Sequence, residues 1–416
     1  MKKVGVAILG LGVVGGGTYR ILTENKQYFK DTQGVDVTVE AVLEPRKERA
    51  LSMGVPEEAI CSHLLEVVAN PAVDVVVECI GGEEPAFSFL MTALQNGKTC
   101  VTSNKELFSK HWHELEARAK ENNANIFFEA TCMGGVPVIR VLADGMQANR
   151  VEKICGIVNG TTNYILTRMD QGLTFESALK EAQEKGYAEA NPKADVEGYD
   201  AMYKLSILAG LAFHYAVPLD KISRQGITEI EKTDVDYAKE LGYAVKLLAV
   251  GKRTESGLEV RVQPAMVSLT HPIANIKDCF NAVVIVGDSV GEVMLTGRGA
   301  GAEPTGSAIV SDVIFAAKHL DRNYTHFLNE TKDKLKLSQD VTCGHYLRFN
   351  RVDDASAQAV ITALGKSGVT AKTIRQEGND ILAVTAESNE SAVLKAVERA
   401  NKNGVTLAAM YRVEEL

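Results

Sequence analysis

Six residues near the start, Gly10-Leu11-Gly12-Val13-Val14-Gly15, restrict this chain more than any other feature. They follow an apolar run, Val4 to Leu9, and open a stretch from Val14 to Thr23 with helical periodicity. The spacing predicts a strand, a tight turn and a helix. In that setting G-x-G-x-x-G is a fingerprint for a dinucleotide: Gly10 permits the turn, Gly12 lets the backbone approach a pyrophosphate, and Gly15 lets helix and strand close on one another. The helix N-terminus adds free N–H groups and a partial positive charge for the phosphates. Glycines that merely tighten a βα turn are the plain alternative.

A Rossmann unit also places an acid at the end of its second strand, where it holds the adenosine ribose hydroxyls. Val35 to Leu43 alternates as that strand, which makes Glu44 the candidate. It lies farther from Gly15 than the usual spacing of about 20 residues, so the first crossover must be extended. A carboxylate here repels a 2′-phosphate and favours NAD, whereas Arg46 and Arg49 can accommodate NADP. The choice between NAD and NADP stays open.

Further strands are expected at Asp74 to Ile80, Thr99 to Thr102 and Asn125 to Glu129, with helices at Glu57 to Ala69 and Pro85 to Asn96. That alternation predicts a parallel, doubly wound α/β sheet. Met133-Gly134-Gly135-Val136-Pro137 marks a boundary. Beyond it, strands at Val151 to Val158, Val260 to Met266 and Ala282 to Val286, and a long helix from Val196 to Ala216 stopped by Pro218, suggest an α+β domain. Pro304 to Leu320 reads as a helix that packs back on the first domain, and Asn329 to Gln339 as a linker. From His345 the order is strand, helix, strand, strand, helix, strand, a ferredoxin-like βαββαβ module. Three domains are therefore expected for 416 residues: 1–132 with the helix 304–328, then 133–303, then 345–416.

A net charge of −9 argues against nucleic acid or anionic lipid as a partner. The seven cysteines contain no C-x-x-C pair, which suggests reduced thiols and neither a disulfide framework nor a zinc site. Glycines interrupt the apolar start, so it reads as a buried strand and not as a secretory signal. No apolar run is long enough to span a bilayer, and a cytoplasmic location is expected.

Gly186 to Asp195 is a loop rich in carboxylates, with Glu189 and Asp195, and it leads into a helix bearing Asp200 and Lys204. Four residues apart, Asp200 and Lys204 share one helix face. A surface ion pair would look the same. Directly afterwards, however, Leu205 to Phe213 is almost wholly apolar, which suggests that the helix plunges into the core. Hydride transfer from an alcohol needs a group to take the hydroxyl proton, and a desolvated lysine can do this. A second glycine-rich loop, Gly297 to Gly306, precedes the Pro304 helix and suits close approach to a ligand or a plain domain crossover.

The stretch G-Y-A-E-A-N-P-K-A-D-V-E-G-Y-D-A-M-Y-K-L, from Gly186 to Leu205, resembles the signature of homoserine dehydrogenases. The resemblance extends to Val158 to Tyr164 (VNGTTNY), Thr102 to Lys105, Glu129 to Thr131 and the Gly297 loop, and it covers about the whole chain. It implies a reversible hydride transfer between L-homoserine and L-aspartate 4-semialdehyde. Lys204 would move the proton at the reacting oxygen, Asp195 would orient it or bind beside it, and Lys105 would be the second lysine of the site. Glu189, Asp200 and Thr161 would bind substrate, although the Thr161 hydroxyl, at a helix start, could equally be only a cap. Val13, Val14 and Gly301 match cofactor contacts, and Thr102, Ser103, Lys105 and Gly186 join them. A monovalent cation, usually sodium, would be held by Glu129 and by main-chain oxygens of Cys132, Gly134 and Val136.

The resemblance further implies a homodimer or homotetramer and an ACT-like tail that takes threonine as effector. The tail departs from the ACT pattern, because Val352 to Ala357 lacks the usual proline and glycine. A non-catalytic sensor would keep the glycine loop but have no need for Glu189, Asp200 and Lys204 together.

Overall fold

The computed structural model describes residues 2–322, 324, 336–338, 341–351, 353 and 355–414. It divides into two compact units. The first comprises Met1–Ile154, Asp200–Asp220 and Cys279–Asp333, and the second Cys155–Tyr199, Lys221–Asp278 and Lys334–Leu416. The expected linker Asn329 to Gln339 falls outside the described residues except at 336–338, as do Val352, Asp354 and the end of the expected helix 304–328.

The first unit contains a six-stranded sheet in the order Ile60–Cys61, Val35–Leu43, Lys2–Leu9, Val75–Glu78, Thr99–Thr102, Ile126–Phe127. All pairings are parallel. Runs such as Val75-Val76-Val77 are buried throughout, as a sheet covered on both faces requires. The strand order reverses between Lys2–Leu9 and Val75–Glu78, whose last residues, Leu9 and Glu78, stand side by side. Ligands of such sheets bind at the carboxyl ends of the strands at this switch point. The extended first crossover takes the form of a second helix, Lys26–Gln33, after Val13–Glu24.

Several expected elements differ. The helix expected at Glu57 to Ala69 is split, because Ile60–Cys61 pairs with Val42 and Leu43 and a capping box of His63 and Glu66 then starts Leu64–Ala69. The strand expected at Asn125 to Glu129 is confined to Ile126–Phe127, and Glu129 opens a short 3₁₀ turn. The helix expected from Val196 to Ala216 is really Lys193–Val196 and Tyr199–Phe213, parted at Gly198, whose φ is +82°. It ends at His214 (φ +52°), before Pro218 is reached. Ala302–His319 packs along Val13–Glu24, so closely that a Cβ on Gly17 would lie 2.4 Å from the Ala302 oxygen.

In the second unit the strands Tyr243–Thr254 and Gly257–Ser268 form a long antiparallel hairpin. The first of them was not foreseen. Leu407–Glu414 adds to Gly257–Ser268 in parallel, followed by Thr342–Asn350, Asp380–Thr385 and Ala371–Glu377. With helices Ser356–Lys366 and Glu390–Lys402 these make the βαββαβ module, whose core holds Leu347, Phe349, Val360, Ile381 and Val393. Because its last strand continues the sheet of the hairpin, the module is joined to that unit and does not form a third one.

Candidate active site

The glycine loop is built as its spacing demands. Gly10 has φ +89°, and a Cβ on Gly15 would lie 1.9 Å from the Gly10 oxygen, so helix and strand meet only because position 15 has no side chain. At Gly12 a Cβ would meet nothing within 4 Å, which leaves the backbone open to a ligand. Gly12 caps the Val13–Glu24 helix without a side-chain hydrogen bond, as an anion-binding N-terminus should be. Val13 is 70% exposed, an apolar side chain bare at the mouth of the loop. A cavity of about 380 Å³ lies beside it, lined by Gly12, Val13, Gly16, Arg49, Met53 and Ala302.

Glu44 is buried and faces this loop. Its Oε2 accepts from Leu11 N at 2.9 Å, and its Oε1 accepts from Arg46 N at 3.1 Å and Arg46 Nε at 2.8 Å. The Arg46 guanidinium, together with the backbone donors, holds the carboxyl down at about 2. Arg49 Nε donates to the Leu11 oxygen at 2.5 Å.

Thr102 lies at the end of its strand, but its hydroxyl donates to Glu78 Oε2 at 2.6 Å and accepts from Asn104 N at 3.0 Å. Ser103 follows it, half-buried. Glu78, fully buried at the switch point, also accepts from Ile80 N at 2.7 Å. Sequence reasoning missed it, although an acid ending an otherwise apolar strand was the available signal. Gly301, with φ +122°, precedes the Ala302–His319 helix.

The same unit assembles the two lysines. Asp200 Oδ2 accepts from Lys204 Nζ at 2.6 Å, and its Oδ1 lies 3.0 Å from Lys105 Nζ. Lys204 and Asp200 are only 8% and 7% exposed, which disposes of the surface ion pair. Lys105 starts the Lys105–Glu121 helix, where Asn104 Oδ1 accepts from Leu107 N at 3.2 Å as the cap. The result is one carboxylate bridging two ammonium groups, with Lys105 the more exposed of the two. Behind Lys204, Cys132 Sγ lies 3.7 Å from its carbonyl oxygen.

Glu129, Cys132, Gly134 and Val136 lie in this unit too, all of them buried. Glu129 Oε1 accepts from Ile139 N at 2.9 Å and Oε2 from Arg140 N at 2.8 Å. Burial and the neighbouring Asp312 push this carboxyl up to about 8. Met133 and Gly134 have φ of +58° and +53°, and a Cβ on Gly134 would lie 2.6 Å from the Gly299 backbone. Among the described residues, no hydrogen bond ends on the Cys132 or Gly134 carbonyl oxygen, whereas the Val136 oxygen accepts from Val138 N at 2.8 Å. A buried carboxylate with lone pairs to spare and carbonyls without donors suit a hard monovalent cation.

The remaining candidates lie in the second unit. The cap of Gly160–Asp170 is Asn159, whose Oδ1 accepts from Thr162 N at 2.8 Å, not Thr161. Thr161 Oγ1 instead donates to the Tyr187 oxygen at 2.7 Å, holding the loop that carries Glu189, which is exposed. Gly186, with φ +71°, turns the chain out of Phe175–Glu184 into that loop. Asn159 Nδ2 donates to Asp195 Oδ1 at 2.7 Å, so the first asparagine of VNGTTNY positions the aspartate of the other motif. The second, Asn163, donates to the Ile276 and Asp278 oxygens at 3.2 and 3.0 Å. It accepts at 3.0 Å from Lys246, a lysine that burial pushes down to about 8. Neither asparagine nor Lys246 was singled out in the sequence.

A dinucleotide loop at a switch point and a buried lysine paired with a carboxylate define a nicotinamide-dependent dehydrogenase. The comparisons with known proteins agree. The family "Homoserine dehydrogenase, NAD binding domain" matches residues 10–129 and "Homoserine dehydrogenase" matches residues 137–314. The chain is 37% identical to a homoserine dehydrogenase of Bacillus subtilis, over 100% of this chain and 99% of the relative. A solved homoserine dehydrogenase from Thiobacillus denitrificans superimposes with a TM-score of 0.93 at 35% identity, covering 100% of this chain and 99% of the other. A hyperthermophilic archaeal homoserine dehydrogenase in complex with NADPH matches at 0.64 and 30% identity, over 76% of this chain and 98% of the other. The chain belongs to the homoserine dehydrogenase family, NAD(P)-dependent oxidoreductases that interconvert L-homoserine and L-aspartate 4-semialdehyde.

Proposed function

We propose that Lys204 carries the proton in this reaction. The observation behind the assignment is the buried Lys204–Asp200–Lys105 bridge. When bound, the reduced nicotinamide supplies hydride to the aldehyde carbon. Lys204 Nζ then gives a proton to the developing alkoxide, and it takes one from the hydroxyl when homoserine is oxidised. Asp200 accepts hydrogen bonds from both ammonium groups and so fixes the direction in which Lys204 points. A fixed charge beside a developing alkoxide acts more strongly in the transition state than in the ground state, which is what lowers a barrier. Glu189 and Thr161 are assigned to substrate, and Asp195 to catalysis, on the strength of the family signature. The test is oxidation of L-homoserine followed by absorbance of the reduced nicotinamide, which should require Lys204.

Glu44 is assigned the ribose hydroxyls. It is ionised across the working pH range, so it opposes a 2′-phosphate, while Arg46 offsets part of its charge. Glu44→Gln is expected to move the NAD/NADP ratio of kcat/KM toward NADP by about tenfold, since a hydrogen bond to a charged group contributes about 1.5–3 kcal/mol. An unchanged ratio would remove Glu44 from cofactor choice.

Sodium or another monovalent cation is assigned to Glu129 and the carbonyl oxygens of Cys132, Gly134 and Val136. It would supply a fixed positive charge beneath the loop whose thiol meets the Lys204 carbonyl. The tail is assigned threonine as effector, because its βαββαβ order is that of small-ligand regulatory modules. Addition of threonine should inhibit the full chain; activity that is flat across physiological threonine concentrations would dispose of this assignment. A homodimer or homotetramer in the cytoplasm is the family expectation. Among the described residues, no helix is long and apolar enough to cross a membrane.

A further inference from the structure

Three segments of the first unit meet around Glu129 in a closed ring of hydrogen bonds. The Glu129 carboxylate accepts from Ile139 N and Arg140 N at 2.9 and 2.8 Å. Arg140 Nη2 donates to Asp312 Oδ1 at 3.0 Å. Asp312 Oδ2 in turn accepts from Glu129 N at 2.8 Å. The ring therefore fixes Glu129 twice, once by its side chain and once by its own peptide. Asp312 is 2% exposed, and it lies on Ala302–His319, the helix that packs along the dinucleotide helix. Arg140 is held from the other side as well: its Nη1 donates to Asp144 Oδ2 at 3.2 Å, and its guanidinium lies 3.6 Å from the centre of the Phe315 ring.

With the Glu129 carboxyl ionised, the charges do not balance within the ring. Two buried carboxylates, Glu129 and Asp312, lie around one guanidinium, which pairs with Asp312 and with Asp144 while Glu129 meets Arg140 only through its backbone N–H. A buried carboxylate without a full partner is costly, so the arrangement favours one further positive charge. Each Glu129 oxygen accepts one of these bonds and keeps a second lone pair for it. A cavity of about 450 Å³, lined by Glu129, Gly135, Arg140, Asp144, Asp312 and Ser311, opens onto the same carboxylates.

We infer that Asp312 and Arg140 are positioning residues for the cation. They hold the Glu129 carboxylate and the backbone that begins the Cys132 to Val136 loop in ligand geometry without themselves touching the ion. The inference rests on the cation assignment given under the proposed function. No role in either motif singles out Asp312 or Arg140, and neither belongs to the Lys204 bridge. Partners that orient a ligand from behind commonly govern metal affinity by about 10–100-fold. Asp312→Asn keeps the size but turns one acceptor into a donor, which must then face either the Glu129 N–H or the guanidinium.

The test is thermal unfolding of the whole chain in rising sodium chloride, with choline chloride at matched ionic strength as the reference. Wild type should show a saturable rise in Tm specific to sodium. Asp312→Asn should raise the sodium concentration at half-saturation by about tenfold or more, and Asp312→Glu should recover part of the loss. If wild type shows no difference between the two salts, the cation assignment fails and the inference with it. If wild type responds and Asp312→Asn responds at the same midpoint, the cation stands and the positioning role is overturned. A residue that is merely structural would lower Tm equally in both salts and leave the midpoint where it was. Should Asp312→Asn not fold, Arg140→Lys serves in its place. It keeps the charge and removes the planar fork, and the same shift in midpoint is expected, with an unshifted midpoint overturning the inference.

Discussion

Lys204→Ala is expected to lower kcat for homoserine oxidation by about 10²–10⁴-fold while leaving KM within a few-fold, the usual range when a positioned proton-transfer group is lost. The geometry makes the variant informative because it should not collapse the fold. Asp200 would keep Lys105 at 3.0 Å, so no carboxylate is left buried without a partner. Truncating a lysine that is 8% exposed leaves a modest gap within the Tyr199–Phe213 helix, whose following residues stay buried. Lys204→Arg sharpens the test. Arginine keeps the positive charge beside the oxygen but does not give up its proton in a protein, so it should leave KM near wild type and fail to restore turnover. Asp200→Asn should fall between wild type and Lys204→Ala, because both ammonium groups remain but neither is held in direction. Steady-state kinetics with NAD and with NADP, beside thermal unfolding of each variant, decide the matter. A Lys204→Ala enzyme within about threefold of wild type, against the 10²–10⁴-fold of a true proton donor, would mean that another group or water handles the proton.

How far the site could be seen in the sequence depends on the range of the interactions. The glycine loop was legible because its three glycines act within six residues of chain, and the structure gives each a separate local reason. Asp200 and Lys204 were legible as a pair, since four-residue spacing is a helix property. Their burial was hinted at only by the apolar run after them. The residues that hold these groups were not visible. Asn159 acts on Asp195 across 36 positions, and Asp312 acts on Glu129 across 183. Neither has a local pattern that a single sequence displays. The fold shows the same division. Val35–Leu43 and Thr99–Thr102 alternate or run apolar and end where expected, because the pattern is the strand. Tyr243–Thr254 was missed because it is buried over most of its length yet carries Lys246, Lys252 and Arg253, which read as polar surface until their partners are known. Gly198 interrupts a helix that periodicity alone carries straight through, since a single left-handed residue leaves the apolar spacing on either side almost unchanged.

The tail offers the largest stability effect. Asp234, on helix Lys232–Glu240, is wholly buried, and both its oxygens are spent on tail residues. Its Oδ1 accepts from Arg348 Nε at 2.7 Å and from the Tyr346 hydroxyl at 3.1 Å. Its Oδ2 accepts from Arg348 Nη2 at 3.1 Å and from the Tyr411 hydroxyl at 3.3 Å. Arg348→Met should therefore destabilise the chain by about 3–5 kcal/mol, the cost of leaving a buried charge without its counter-charge. It should show as a fall in the urea midpoint with little change in slope. Pairing it with Asp234→Leu should recover much of the loss, because the unpaired carboxylate is then gone; no recovery would mean that Asp234 is held by the two tyrosines alone. The archaeal relative that binds NADPH is matched by only 76% of this chain, so the family does include shorter chains. In this one the extra module cannot simply be detached. Cutting it away would strip Asp234 of these partners and leave Glu259 and Arg261, both buried, without Arg412 and Glu414. Any effect of a ligand on the tail must then act through strands that share one sheet with Gly257–Ser268, and it should register as a change in rigidity of that sheet before it registers as a movement of the module.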